Sequence, residues 1–260
     1  MIVTRPQPQA DDWVAQLALL GIDAAALPLL GIAAPADPQM VRAAWSTLAQ
    51  MRLAMFVSPS AVERFFALAP AVPTGASAVW PDAAWAGGTG PGTAAALRRC
   101  GVPDEAIICP DVGSPGFDSE ALWQLLRDRC DWCGAQVLIV RGEGGRDWLA
   151  QTLRGQGATV GFVEAYRRTA PLLDEAGRRC LAAALTQPAM HVWLFSSSEA
   201  VQHLPALATQ ADWASAQALA THPRIAQAAR NIGFGRVDTL PPSPAAIADW
   251  VRLSIQSART

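Results

Sequence analysis

The sequence predicts an α/β protein with parallel sheets flanked by helices, built as two similar domains with a cleft between them. Three observations predict this. Short apolar runs alternate with amphipathic stretches along the whole chain, the order expected of parallel-sheet proteins. The segment "TGPGTAAALRRCGV" (89–102) aligns without gaps on "THPRIAQAARNIGF" (221–234). Each follows a strand that ends in serine at a helix start, "MFVSPSAVERFF" and "WLFSSSEAVQHL". Finally, "DDWVAQLALLGID" near the N-terminus resembles "RDWLAQTLRGQGAT" (146–159), sharing Asp–Trp–apolar–Ala–Gln. Asp–Trp and serine units therefore alternate twice, the signature of a duplicated unit.

Taken in order, "MIVTRP" holds a short buried strand at Ile2 and Val3, stopped by Pro6. Asp11 and Asp12 open a helix that ends at Gly21, a residue suited to the left-handed turn after a helix. The apolar run Ala25–Ile32 precedes a Pro-rich linker at 35–38 and a helix over 39–50. "LAMFV" (53–57) is a buried strand, followed by a helix with Ser58 at the cap and Pro59 at its first position. A weak strand near 83–86 leads into the first Thr–x–Pro helix, then a short strand at 106–109 and a helix over 118–130 capped by Asp118 or Ser119. "AQVLIV" (135–140) is the clearest strand; "RGEGGRDWLAQTLRGQG" is a glycine-rich turn plus helix, and "TVGFVEAYRR" is another strand. A helix over 172–185, the strand "HVWLF" (191–195) and the helix start "SSSEAVQHL" come next. A helix near 211–217, a strand near 218–221, the second Thr–x–Pro helix and a terminal amphipathic helix capped by Ser243 complete the chain.

Composition excludes several classes of function. The 260 residues are 51% apolar and only 16% charged, with a formal charge of −2, so the chain is globular and carries no global attraction for nucleic acid or anionic membrane. "MIVTRP" has no basic segment followed by a long apolar run, and no window looks like a membrane span. Five scattered cysteines fit reduced thiols in a cytoplasm.

Open α/β sheets bind ligands at the carboxyl ends of their strands, where helix N-termini present free N–H groups. Ser58, Thr93, Arg141, Ser196, Ser197 and Thr221 fall on such turns, which predicts an anionic ligand. "GTGPGT" has the wrong third spacing for a dinucleotide fingerprint, and its sister segment carries His222 and Arg224 in place of the glycines. "RGEGGR" lacks the Lys–Ser/Thr of a P-loop, but Arg141, Gly142 and Arg146 around exposed amides suit an anion. "CDWC" ends a helix instead of starting one, so its thiols read as structural, and no second Cys/His pair supports a metal. Among the three histidines, His191 reads as packing, His203 as surface and His222 as a ligand contact. Tyr166, the one tyrosine, ends a strand, where a phenol could serve packing or donate a proton to a leaving group.

The ordered set "VTRP", "LPLLGI", "FVSPSAV", "GPGTAAAL", "LIVRGEGGRDWLAQTLRGQGATVGFVEAYRR", "LFSSSEAV" and "THPRIAQAARNIGF" resembles the uroporphyrinogen-III synthase family over nearly the full chain. The resemblance implies two α/β domains joined by a two-stranded connection, one (34–170) inserted into the other (1–33 plus 171–260). It implies a cytoplasmic, monomeric enzyme of tetrapyrrole biosynthesis that uses no cofactor or metal. Its reaction closes hydroxymethylbilane, a linear tetrapyrrole with eight carboxylates, to uroporphyrinogen III through an azafulvene and a spiro intermediate that inverts ring D. Tyr166 falls on the tyrosine that assists loss of the hydroxyl, and Ser58 and Thr93 fall on hydroxyl positions near the product. Arg5, Gly90, Arg141, Gly142, Arg146, Ser196, Ser197, Thr221 and His222 complete the expected substrate contacts. The chain departs from some members at Val57, where they carry Thr, and at Arg224 and Ile225, where they carry a Thr pair. Two other readings of the same residues stay open at this point: a non-catalytic two-lobed binder of a polyanionic metabolite, and a nucleotide-binding α/β protein.

Overall fold

A computed structural model describes residues 1–70, 79–111, 113, 114 and 116–257. The chain divides into two compact units, Met1–Ile32 with Thr169–Thr260, and Ala33–Arg168. Unit 1 holds a five-stranded sheet in the order β11-β10-β9-β1-β2, from β1 (Ile2–Val3), β2 (Ala25–Ala26), β9 (Val192–Phe195), β10 (Gln217–Ala220) and β11 (Arg236–Thr239). A six-stranded sheet has the order β3-β8-β7-β4-β5-β6, from β3 (Gly31–Ala33), β4 (Leu53–Phe56), β5 (Trp85–Gly88), β6 (Ile107–Ile108), β7 (Gln136–Gly142) and β8 (Thr159–Thr169). The chain passes into unit 2 through β3 and returns through β8, which are neighbours in that sheet.

The repeat in the sequence is a repeat of topology. In unit 2, β4, α3 (Pro59–Phe66), β5, α4 (Pro91–Arg99) and β6 are followed by β7, α6 (Trp148–Gly155) and β8. Unit 1 has the same set, with β9, α8 (Ser198–Leu207), β10, α9 (Pro223–Asn231) and β11 at the end of the chain and β1, α1 (Gln9–Leu19) and β2 at its start. The order of strands is the same in both, and every pair joining them is parallel. The two aligned helices even end alike: Gly101 (φ +84°) and Gly233 (φ +103°) hold the left-handed turn that a side chain resists.

Parallel sheets need apolar residues on both faces, and the strands supply them. In unit 1, Ile2, Trp193, Phe195, Ala218 and Ala220 pack on one face with Leu181, Leu204 and Phe234, while Val3, Leu194 and Leu219 meet Trp13, Leu17 and Ile247 on the other. In unit 2, Leu53, Met55, Val137 and Ile139 pack against Leu122, Leu126, Leu149 and Leu153. The opposite face places Phe56 beside Phe65, Phe66 and Trp80. Asp37 caps α2 (Pro38–Thr47), Asp118 caps α5 (Ser119–Leu126) and Asp174 caps α7 (Glu175–Thr186), each through a side-chain oxygen that accepts a first-turn amide.

Several expectations need correction. Residues 211–216 form a turn, not a helix, and Gln217 already begins β10. The Asp212 carboxylate accepts the amide of Ala214, and Trp213 stacks on Phe234 at 5.0 Å, a local arrangement that competes with helix formation. The edge strand β11 has no counterpart in the sequence reading because "RVDT" is short and half polar. α1 begins at Gln9, before Asp11, and α7 at Glu175, not Leu172, which is almost wholly exposed. His203 is half-buried, its Nδ1 2.6 Å from the carbonyl oxygen of Leu29, and so is not a free surface residue. The terminal helix, α10 (Pro244–Ser257), starts where Ser243 predicts. All five cysteines are free thiols; burial pushes the Cys109 thiol up to about 11. No helix among the described residues is long and apolar enough to cross a membrane.

Candidate active site

In each unit one pair of neighbouring strands sends its connections in opposite directions across the sheet, β4 with β7 and β9 with β1. Ligands bind outside the carboxyl ends of such strand pairs. The predicted site residues collect there. In unit 2, Ser58 follows β4 and Arg141 and Gly142 end β7. In unit 1, Ser196 and Ser197 follow β9 and Arg5 follows β1.

In unit 2 the candidate residues Ser58 and Gly142 meet at Tyr166. The β7–β8 ladder runs in step from Gln136↔Thr159 to Arg141↔Glu164, then skips a residue so that Gly142 faces Tyr166. This irregularity turns the tyrosine ring over Gly142, where an added Cβ would lie 2.7 Å from Cε2 and Cζ. Glycine is therefore required for close approach, not for an unusual φ. The ring is buried. Its hydroxyl lies 3.1 Å from Ser58 Oγ and accepts a long, 3.4 Å hydrogen bond from Arg168 Nη2. The Arg168 guanidinium also lies 5.5 Å from the ring centroid, and its Nη1 donates to the Glu143 carbonyl at 3.3 Å. Ser58 has two tasks, since its Oγ also accepts the Ala61 amide at the cap of α3. A phenol touching a hydroxyl and a guanidinium can release its proton, because the phenolate left behind is met by donors.

Both arginines of "RGEGGR" are paired inside unit 2. Arg141 Nη1 donates to Asp147 at 2.7 Å and stacks 4.1 Å from the Phe162 centroid. Arg146 pairs with Glu120, and the Gly144 amide donates to Glu164 at 3.4 Å. Thr93 is buried on α4, its methyl beside Gly88, and Gly90 is extended at the start of that helix, where a Cβ would press on the Phe117 ring at 3.1 Å. In unit 1, Ser197 caps α8 by accepting the Ala200 amide at 3.4 Å, and exposed His222 caps α9 through Nδ1, which accepts the Arg224 amide at 3.1 Å. Thr221 and Ser196 are half-buried beside them. Arg5 packs over Trp13 at 4.4 Å, and burial pulls its guanidinium down to about 10.

The candidate residues therefore form two groups. Ser58, Gly142 and Tyr166 meet in unit 2, and Arg5, Ser196, Ser197, Thr221 and His222 stand along the strand ends of unit 1. Sequence reasoning missed Arg168 and Thr89, whose hydroxyl donates to the Val57 carbonyl at 3.3 Å. Arg168 was signalled by "YRR", because two residues along a strand share one face; Thr89 was signalled by its alignment with Thr221. No cluster of three His, Cys, Asp or Glu residues suited to a metal ion occurs among the described residues.

The family described as uroporphyrinogen-III synthase HemD matches residues 11–246. The chain belongs to the uroporphyrinogen-III synthase family. Uroporphyrinogen-III synthase from Salmonella typhimurium is 34% identical over 179 residues, 68% of either chain. That from Escherichia coli K12 is 29% identical over 240 residues, 90% of this chain and 92% of its own. Among solved structures, a mutant uroporphyrinogen III synthase from the extremely thermophilic bacterium Thermus thermophilus superposes with a TM-score of 0.53 at 18% identity, and uroporphyrinogen-III synthetase from Helicobacter pylori 26695 with 0.52 at 16%. Each comparison covers 98% of both chains, and at these identities it speaks for the fold alone.

Proposed function

We propose that this chain is a cytoplasmic, monomeric uroporphyrinogen-III synthase that closes hydroxymethylbilane to uroporphyrinogen III without a cofactor. The observation that carries the reading is the Tyr166 hydroxyl, held between Ser58 and Arg168 at the strand ends of unit 2 in a chain of this family. Tyr166 donates its proton to the departing hydroxyl of the substrate, the C–O bond breaks, and water leaves. The protonated azafulvene that remains is attacked by the substituted carbon of ring D; the spiro intermediate opens and recloses at that ring's free α-carbon, inverting it, and the proton this carbon loses returns to Tyr166. Arg168 donates to the phenolic oxygen as it gains charge, and Ser58 keeps the hydroxyl in place. The substrate's carboxylates are met by the hydroxyls and helix starts at Ser196, Ser197, Thr221 and His222. Because the linear substrate also closes unaided to isomer I, holding its conformation is the larger part of catalysis.

The test supplies freshly prepared hydroxymethylbilane and resolves the uroporphyrin isomers after oxidation. The expected product is isomer III. Isomer I alone, at the rate of a protein-free control, would refute the reading.

A further inference from the structure

The duplicated topology makes individual residues comparable across the two units. Val3 pairs with Leu194 and Ala220 with Phe195, so Arg5, Ser196 and Thr221 stand abreast just past the ends of three adjacent strands. Val140 and Gly88 both pair with Phe56, which puts Arg141, Val57 and Thr89 in the corresponding row. By this register Arg5 and Arg141 are equivalents. Both stack on an aromatic ring, Trp13 and Phe162 respectively, and both have a buried Nε without a hydrogen-bond partner.

They differ in what balances the charge. Arg141 is neutralised by Asp147. Arg5 has no ion pair and no hydrogen bond among the described residues, and Asp12, which the Asp–Trp repeat aligns with Asp147, lies inside α1 instead of at its cap. Arg5 is half-buried with its Nε out of reach of water and unpartnered, a cost that an incoming anion would offset. Burial pulls Arg5 down to about 10, which records that cost and still leaves it cationic at neutral pH. Its neighbours are acceptors and donors of the right kind, the Ser196 and Thr221 hydroxyls, and the planar fork of the guanidinium matches a carboxylate.

We propose that Arg5 is the carboxylate anchor of unit 1, a specificity-determining residue that binds one ionised acid side chain of the ligand, whereas its equivalent Arg141 is a strut held by Asp147. That the carboxylate belongs to a tetrapyrrole rests on the function proposed above; that Arg5 takes a carboxylate does not.

The test titrates the full chain with uroporphyrin III, a stable octacarboxylate, following tryptophan fluorescence, for the wild type and for Arg5→Gln, Arg5→Lys and Arg141→Gln. Arg5→Gln is expected to weaken binding at least tenfold while its melting temperature holds or rises, because a half-buried charge without an ion-pair partner has been removed. Arg5→Lys, which keeps the charge and loses the fork, falls between. Arg141→Gln is expected to lose melting temperature first and to weaken binding less than threefold. Arg5→Gln binding within twofold of wild type, or Arg141→Gln losing as much affinity as Arg5→Gln, overturns the proposal. If Arg5→Gln does not fold, phenylglyoxal labelling of the wild type with peptide mapping decides: uroporphyrin shields Arg5, and equal labelling with and without it overturns the anchor. A wild type that binds uroporphyrin through Arg5 yet yields only isomer I keeps the anchor and removes the proposed function. Isomer III formed with Arg5→Gln kinetics equal to wild type removes the anchor alone.

Discussion

The two units carry the same strand order and the same row of positions at their strand ends, yet they treat charge in opposite ways. Unit 2 closes its polar groups on one another: Arg141 on Asp147, Arg146 on Glu120, the Gly144 amide on Glu164, and Tyr166 on Ser58 and Arg168. Unit 1 leaves Arg5 uncompensated, with Ser196 and Thr221 abreast of it. A duplicated scaffold fixes where side chains stand but not what they do. Self-satisfied networks are rigid and suit a group that must be aimed, whereas an unsatisfied cation suits a ligand that brings the missing charge. On the function proposed above, proton transfer falls to unit 2 and carboxylate recognition to unit 1.

The largest expected effect tests the first half of that division. Tyr166→Phe removes the transferable proton and keeps the ring packed on Gly142, so kcat for isomer III should fall by about 10²-fold, the lower end for a lost general acid. Affinity for uroporphyrin III should change by less than about fivefold, since one partly satisfied hydrogen bond is worth about 1 kcal/mol or less. Steady-state kinetics and a fluorescence titration read the two numbers. Should binding collapse together with turnover, Tyr166 is an anchor and the division of labour fails. Gly142→Ala comes next: its Cβ would lie 2.7 Å from the tyrosine ring, and displacing that buried ring should cost about 1–3 kcal/mol, seen as a lower melting temperature with a parallel loss of kcat. Wild-type stability in that variant would mean the ring moves freely, and the aim of Tyr166 would not depend on the bulge.

Much of this architecture was legible in the sequence because the repeat is carried by residues with local mechanisms. Ser58 and Ser197 cap helices, Pro91 and Pro223 begin them, and Gly101 and Gly233 end them, so aligning two segments aligned two folding units. The turn at 211–216 was misread because "ADWASAQ" is alanine-rich, while the Asp212 turn and the stacking of Trp213 on Phe234 decide its conformation. Ser58 and Arg141 could be placed at strand ends from pattern alone, whereas Tyr166, read as ending its strand, lies inside β8, which runs on to Thr169. The skipped residue opposite Gly142 could not be placed, since a bulge depends on the partner strand and leaves no local signature, and it is what brings Tyr166 to Ser58. Nor could the sequence show that Arg141 has a carboxylate and Arg5 none: both are an arginine after an apolar strand, and only the fold reveals which acid reaches which.

The smallest expected effect is also the most discriminating, because it compares equivalent atoms. Ser58 and Ser197 each follow the same strand, each accept the amide three residues on, at 3.2 and 3.4 Å, and each cap the next helix. Replacing either by alanine removes one cap and should lower stability by about 1 kcal/mol in both variants, so their melting temperatures should fall together. Kinetics should separate them. Ser58 also holds the tyrosine hydroxyl, so Ser58→Ala frees the phenol to rotate its proton away from the substrate, and kcat should fall about fivefold, the worth of one hydrogen bond of about 1 kcal/mol. Ser197 has no such partner among the described residues and stands one residue past the row proposed to receive carboxylates, so Ser197→Ala should instead raise KM about twofold to fivefold. If the two variants shift kcat and KM in the same proportion, the hydroxyls of the two units are interchangeable, and the asymmetry must then rest on Arg5 alone.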